Sequence, residues 1–170
     1  MILLIHQETS EALDVLYGAF FDLNATFDRA VSVIQNDFSM PNASGIIHAN
    51  LAHIFPLFAD RISEIKDNYN LSSIRPEVHK DERTYSNLAD MFETILKECS
   101  DVYEIMNKVV DIAIAHRDRN VTSDMYSVFR KYNIIMGQVN TLNDKAQQMS
   151  TDFDKFDFNI SKWGIKGVKL

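Results

Sequence analysis

Apolar residues recur at alternating steps of three and four positions along four stretches of the chain. The first stretch begins with Leu13, Leu16 and Phe20, and the other three repeat the same rhythm. Residues at this spacing share one face of an α-helix, which turns once every 3.6 residues. The pattern predicts four amphipathic helices, over residues of about 11–35, 44–68, 87–115 and 123–149.

Hydroxyl residues stand near the predicted starts of three of these helices. Ser10, Ser86 and Thr122 are each followed by an acidic residue within four positions. A side-chain hydroxyl can accept a hydrogen bond from a free backbone amide at a helix start, and the helix dipole favours an acid in the first turn. We therefore expect these three residues to cap their helices.

The connections between the predicted helices differ in length. The first and third connections are short, whereas about 18 residues, 69–86, separate the second helix from the third. A helix of about 27 residues is about 40 Å long, and 18 extended residues reach about 59 Å. The long connection can therefore run the length of a bundle. Two antiparallel hairpins joined by one crossover predict an all-α, ferritin-like four-helix bundle over residues 1–149.

The last stretch, "STDFDKFDFNISKWGIKGVKL" at 150–170, has a different pattern in which Phe alternates with Asp and glycines follow. We expect a C-terminal tail or short helix that packs on the bundle or on a neighbouring subunit.

Composition narrows the partners and the compartment. The 170 residues are 46% hydrophobic, which suits one domain, and the net charge of −7 opposes broad binding to DNA. No apolar run reaches the length of about 18 residues that a membrane-spanning helix needs. A single cysteine, Cys99, forms no internal disulfide, so a cytoplasmic location is expected. Because it falls on an apolar stripe, Cys99 is interpreted as a small buried hydrophobe.

Three other residues predict local features of the helices. Pro56 lacks an amide donor and should kink or restart the second helix. Gly18 and Gly137 lie inside predicted helices, where glycine is unfavourable, so we expect another helix to approach closely there.

The stretch "YSNLADMFETILKECSDVYEIMNKVVDIAIAHRDRNVTSDMYSVF" at 85–129 resembles the third and fourth helices of the ferritin-like superfamily. "LNDKA" at 142–146 is similar to the end of a ferritin fourth helix, and "ADRISEI" at 59–65 to the second helix of Dps-type mini-ferritins. The resemblance covers residues 11–149. It implies a homo-oligomer, from a dimer up to a closed shell, that binds or stores iron, oxidises it as a ferroxidase, or protects against iron and peroxide stress.

The di-iron ligands that the resemblance implies are largely missing. Such a centre uses Glu-x-x-His pairs and further glutamates that point into the bundle. Here Asn50 stands three residues before His53, where the glutamate is expected, and Cys99 replaces the bridging glutamate of the third helix. In the fourth helix, Asn133 and Met136 lie near the positions where the resemblance places a glutamine and a glutamate. An intrasubunit ferroxidase centre is therefore not expected.

A Dps-type site between subunits is the remaining metal site that the resemblance implies. Asp60 and Glu64 match its pair of carboxylates one helical turn apart, and such a pair can hold a cation from one side. His53 shares their stripe, and His48 lies near the histidine position. We predict a metal site at a subunit interface formed by His48, His53, Asp60 and Glu64, with iron as the metal and no other cofactor. The same stripe also fits the solvated flank of an amphipathic helix.

Two functions stay open. In the first, the chain is a ferritin-like or Dps-like oligomer that handles iron at a degenerate or interfacial site. In the second, it is a non-catalytic ferritin-like bundle that serves assembly or partner binding without iron chemistry.

Overall fold

A computed structural model describes residues 4–170, and this range contains helices, turns and loops but no strand. The α-helices are α1 Gln7–Asn36, α2 Pro41–Ile47, α3 Ile54–Asp67, α4 Leu88–Ala115, α5 Arg119–Gln148 and α6 Phe153–Asn159. A π-helical turn, His48–Ala52, joins α2 to α3, and a 3-10 turn, Ile160–Lys162, follows α6. None of the helices in the described range is long and apolar enough to cross a membrane.

Four long rods form the bundle, the second of which consists of α2, the π turn and α3. α1 packs against α3 and α4, and α4 packs against α5. The crossover begins at Tyr69, beside Asn120 at the start of α5. It ends where the amide of Leu88 donates to the carbonyl of Ser150, 2.9 Å away, just beyond the end of α5. The crossover therefore runs the length of the bundle, and the predicted all-α bundle of two hairpins is confirmed.

The helix starts differ from those predicted. α1 begins four residues earlier, because the His6 ring Nδ1 accepts from the Glu8 amide and caps the helix, so Ser10 lies inside it. The cap of α4 is Asn87, the neighbour of Ser86, through its side-chain oxygen. Thr122 also lies inside its helix. The predicted hydroxyl caps are wrong because other side chains near each end supply the acceptor or the chain is already helical.

The second rod is interrupted, as the proline predicts. Pro56 lies in the first turn of α3, and its missing N–H frees the carbonyl four residues before it, that of Ala52. The side chain of Asn24 on α1 donates to this carbonyl at 2.6 Å. A helix–helix hydrogen bond thus replaces the lost backbone bond and stabilises the break.

The crossover lies tightly on α1. A Cβ added to Gly18 would come within 3.2 Å of the Pro76 ring, and the Arg75 guanidinium stands 4.5 Å from the centre of the Phe21 ring. The close approach at Gly18 is therefore that of a loop, not of a helix. Nothing lies within 4 Å of a Cβ added to Gly137, so the expectation of close approach is wrong there.

An ion-pair cluster fastens the far half of the crossover. Arg83 pairs with Asp81 in the crossover and with Glu98 on α4. Thr26 on α1 donates to Glu98 at 2.6 Å, and the Arg29 side chain donates to the carbonyl of Arg83 at 2.7 Å. Burial alone would raise the pKa of Asp81, but the hydrogen bonds from Arg83 outweigh it and lower that pKa. The cluster joins the crossover to both hairpins.

The segment after α5 folds back onto the bundle. Phe156 and Ile160 are fully buried, and the Phe156 ring meets Trp163 edge to face at 4.8 Å. Asp157 accepts from the amide of Ala43 at 2.7 Å, so α6 caps the start of α2. The bond from Ala43 to Asp157 joins α6 to the second rod.

The final residues are held by Gln138 of α5. Its side-chain oxygen accepts from the amides of Lys166 and Gly167 at 2.9 and 2.8 Å, and its side-chain nitrogen donates to the Gly167 carbonyl at 2.8 Å. Gly167 has φ +66°, and a Cβ there would lie 2.5 Å from the carbonyl oxygen of Asn50. The chain therefore passes directly over the π turn.

Candidate functional site

The centre of the bundle is filled by aromatic rings. We name Phe20, Phe27, Phe55, Phe58 and Tyr132 the aromatic centre. The rings of Phe20 and Phe58 stack at 5.3 Å, Phe58 meets Tyr132 at 5.7 Å, and Phe27 lies 4.8 Å from Phe55. All five side chains are fully buried. Ligands of a ferritin-type di-iron centre would project into this space.

The buried polar residues in the described range include no carboxylate; they are Thr9, Thr26, Ser44, Lys66 and Gln138. A di-iron centre needs carboxylates to replace the water ligands of its two ions, and an aromatic ring supplies no such group. The residues of the bundle centre therefore do not fit an intrasubunit di-iron centre.

Cys99 and Tyr132 meet in this core. The Tyr132 hydroxyl donates to the backbone carbonyl of Cys99 at 2.7 Å. Burial raises the pKa of Tyr132 and raises that of the Cys99 thiol to about 12. The thiol is free and buried, as the apolar stripe predicts, and it stays protonated at neutral pH.

We expect the Cys99 thiol to resist alkylation in the folded chain. At pH 9 about half of an ordinary thiol is ionised, whereas a thiol of pKa about 12 is ionised to about one part in a thousand. Iodoacetamide at pH 9, followed by mass spectrometry, should modify Cys99 about 500-fold more slowly in buffer than in urea. Rates within about tenfold of each other would contradict this burial.

The raised pKa of Cys99 also sets a direction for stability. The thiol contributes stability that is fully present below pH 9.0 and is lost as the pH rises toward about 12.

The structure brings two of the four predicted metal ligands together. The Nε2 atoms of His48 and His53 lie 2.8 Å apart, and both side chains are exposed. Residues five positions apart diverge by about 140° around an α-helix. The π turn, with its i→i+5 hydrogen bonds, instead brings the centres of the two rings to 4.4 Å, edge to face. A cation could replace the hydrogen bond between the two nitrogens.

The two predicted carboxylates lie elsewhere on the same rod. Asp60 and Glu64 are exposed on α3, and Glu64 pairs with Arg61 at 2.7 Å. Asp60 follows His53 by seven residues, about 10 Å along the helix axis. One ion therefore does not reach both pairs within a single subunit.

A different set of ligands converges at the end of the bundle where α1 begins. Within residues 4–170, the one set of three His, Cys, Asp or Glu side chains whose ligand atoms all lie within 4.8 Å of one another is His6, Glu8 and His116. Along the chain, 108 residues separate His116 from Glu8. No local pattern connects them, so only the fold reveals the cluster.

Comparison with known proteins identifies the fold. No protein-family model and no curated protein matches the sequence. Among solved structures, the chain is similar to an open-pore ferritin from the hyperthermophilic archaeon Archaeoglobus fulgidus, with a TM-score of 0.86 and 11% identity over 97% of this chain and 99% of the other. It is also similar to a humanized archaeal ferritin, with a TM-score of 0.85 and 11% identity over 96% and 99%. The chain has the predicted ferritin-like fold; identity this low shows the fold alone.

Proposed function

We propose that the chain is a subunit of a ferritin-like or Dps-like homo-oligomer that binds iron at a subunit interface. The observation that carries this proposal is the His48–His53 pair, whose Nε2 atoms are exposed and 2.8 Å apart. Imidazole and carboxylate together suit ferrous iron. Asp60 and Glu64 of an adjoining subunit would complete the ligand set that the pair begins. Iron storage or protection from iron and oxidative stress, in the cytoplasm, is the role that follows.

The site differs from a ferroxidase centre in its surroundings. Within residues 4–170 no carboxylate or histidine is buried in the bundle, so we place any iron chemistry at the surface. Removing a direct ligand should cost at least as much affinity as removing a group that merely orients one, roughly 10- to 100-fold.

Two measurements on the full chain test the proposal. Static light scattering gives the mass, and an oligomer is expected. Anaerobic titration with Fe(II) should show binding that weakens at least tenfold in His48→Ala and in His53→Ala. His79→Ala is the matched control, because this crossover histidine is exposed and its Nδ1 atom lies 3.6 Å from the carboxylate of Asp22, too far for a hydrogen bond. Equal affinity in the histidine variants and the control, or a monomeric mass, would overturn the proposal.

The role of the carboxylates has its own readout. On admitting oxygen to the Fe(II)-loaded protein, Asp60→Ala and Glu64→Ala should slow the growth of ferric absorbance relative to the unchanged chain. Equal rates would remove these two residues from the site.

The aromatic centre also favours a second function, a non-catalytic bundle kept for assembly. A core that contains only well-packed rings at the place of the metal ligands serves stability rather than iron chemistry. If light scattering shows an oligomer and the titration shows no more Fe(II) binding than a buffer blank, this second function would be favoured over the first.

A further inference from the structure

We propose that His6, Glu8 and His116 form a separate binding site for a divalent transition-metal cation, of which Zn²⁺ is the simplest probe. The site joins the start of α1 to the end of α4. It is independent of the iron proposal, since it shares no residue with the pair His48 and His53.

The donor set carries the first part of the argument. The Glu8 Oε2 atom lies 2.8 Å from Nε2 of His116, and the rings of His6 and His116 stack at 3.5 Å with an angle of 4° between their planes. Two imidazole nitrogens and one carboxylate oxygen are a set that binds Zn²⁺ and similar ions with positions left for water. Because the two rings are stacked in parallel, both must rotate before their lone pairs meet at one ion.

The backbone that presents these ligands is already fixed. Asp118 accepts from the amide of His6 at 3.2 Å and from the hydroxyl of Thr9 at 2.5 Å, and Thr9 is fully buried. Arg117, with φ +60°, turns the chain between His116 and Asp118 so that both reach α1. An ion would therefore meet ligands whose main chains are held together without it.

Two interactions of the metal-free cluster compete with a cation. The hydrogen bond and charge of His116 lower the pKa of Glu8, so this pair is an ion pair when the imidazole is protonated. The His6 Nδ1 atom accepts from the Glu8 amide and caps α1. Coordination through either nitrogen of His6 displaces this cap, because the ring must then use Nδ1 for the metal or carry its proton there.

A substitution of His6 can separate its capping role from its role as a metal ligand. Serine is a preferred N-cap residue but has no imidazole. His6→Ser should therefore keep the thermal midpoint of the metal-free protein and lose metal affinity. Glu8→Gln and His116→Gln remove the other two ligands at exposed or half-exposed positions.

The test is calorimetric titration of Zn²⁺ into the full chain carrying His48→Ala and His53→Ala, which removes the other histidine pair. One Zn²⁺ per chain should bind, and each of the three further substitutions should weaken binding by at least tenfold. His79→Ala should leave binding unchanged. At a Zn²⁺ concentration a hundred times the Kd, the thermal midpoint should rise by about 5–10 °C.

Co²⁺ supplies a readout of the ligands themselves. The chain that carries His48→Ala and His53→Ala should bind Co²⁺ and show its visible absorption. Adding Glu8→Gln or His116→Gln to that chain should abolish the absorption. Absence of stoichiometric Zn²⁺ binding in that background, or binding that all three ligand substitutions leave intact, overturns the proposal. Neither outcome bears on Fe(II) binding by the unchanged His48–His53 pair, so the two proposals fail separately.

Discussion

Replacing Phe58 by alanine should lower the free energy of unfolding by about 3–5 kcal/mol. Phe58 is fully buried at the meeting point of three rods, where it stacks on Phe20, meets the edge of Tyr132 and lies 6.4 Å from Phe55. Its removal takes away ring contacts and leaves a cavity that these neighbours fill only in part. Urea unfolding followed by circular dichroism measures the change.

Leu57 provides the control for this prediction. It precedes Phe58 on the same helix but is 49% exposed, so Leu57→Ala should change the free energy of unfolding by less than about 1 kcal/mol. Both substitutions alter the intrinsic helix preference by a similar, small amount. Similar losses for the two variants would mean that the aromatic centre is not the tightly packed core of the bundle.

Gly167→Ala should lower the free energy of unfolding by about 2–4 kcal/mol. This loss should exceed that of the control variant, Gly164→Ala. The left-handed φ of +66° costs any L-residue about 1–2 kcal/mol. The added methyl group would also lie 2.5 Å from the carbonyl oxygen of Asn50, a backbone atom within the π turn. Since that backbone cannot easily retreat, the final segment should detach, and with it the hydrogen bonds that Gln138 makes.

Gly164→Ala separates the two causes. Gly164 has φ +70°, but nothing lies within 4 Å of a Cβ added there, so only the backbone term of about 1–2 kcal/mol applies. Urea unfolding compares the two variants, and brief trypsin digestion with mass spectrometry reports cleavage after Lys166. Faster cleavage in Gly167→Ala alone is expected. Equal stability and equal cleavage in both variants would contradict the close contact with Asn50.

The helical periodicity made the bundle predictable, because each rod has one buried face that repeats over many turns. The crossover was predictable from its length alone, since a short hairpin loop does not need so many residues. The ends of the helices were less so. Capping depends on which side chain reaches the free backbone amides. The ring of His6 and the side-chain oxygen of Asn87 accept these hydrogen bonds, where Ser10 and Ser86 were expected to do so.

The arrangement of the candidate ligands was harder to predict for two different reasons. His48 and His53 are neighbours because the rod makes a π turn, and the Asn24 side chain, from α1, donates a hydrogen bond to the Ala52 carbonyl at the end of that turn. His6 and His116 come from opposite halves of the chain, so their stacking exists only after the hairpins have packed. The periodicity of apolar residues describes the buried face of one helix. It predicts neither the π turn nor which residues of the two hairpins meet.

The contact between Gly167 and Asn50 joins two segments that are distant in sequence. The π turn that presents His48 and His53 lies beneath the final residues, which Gln138 ties down through three hydrogen bonds. Local opening of the final segment therefore uncovers the turn as well. Amide hydrogens of the two segments should exchange with solvent at linked rates, so the order of the histidine pair depends on residues more than a hundred positions away.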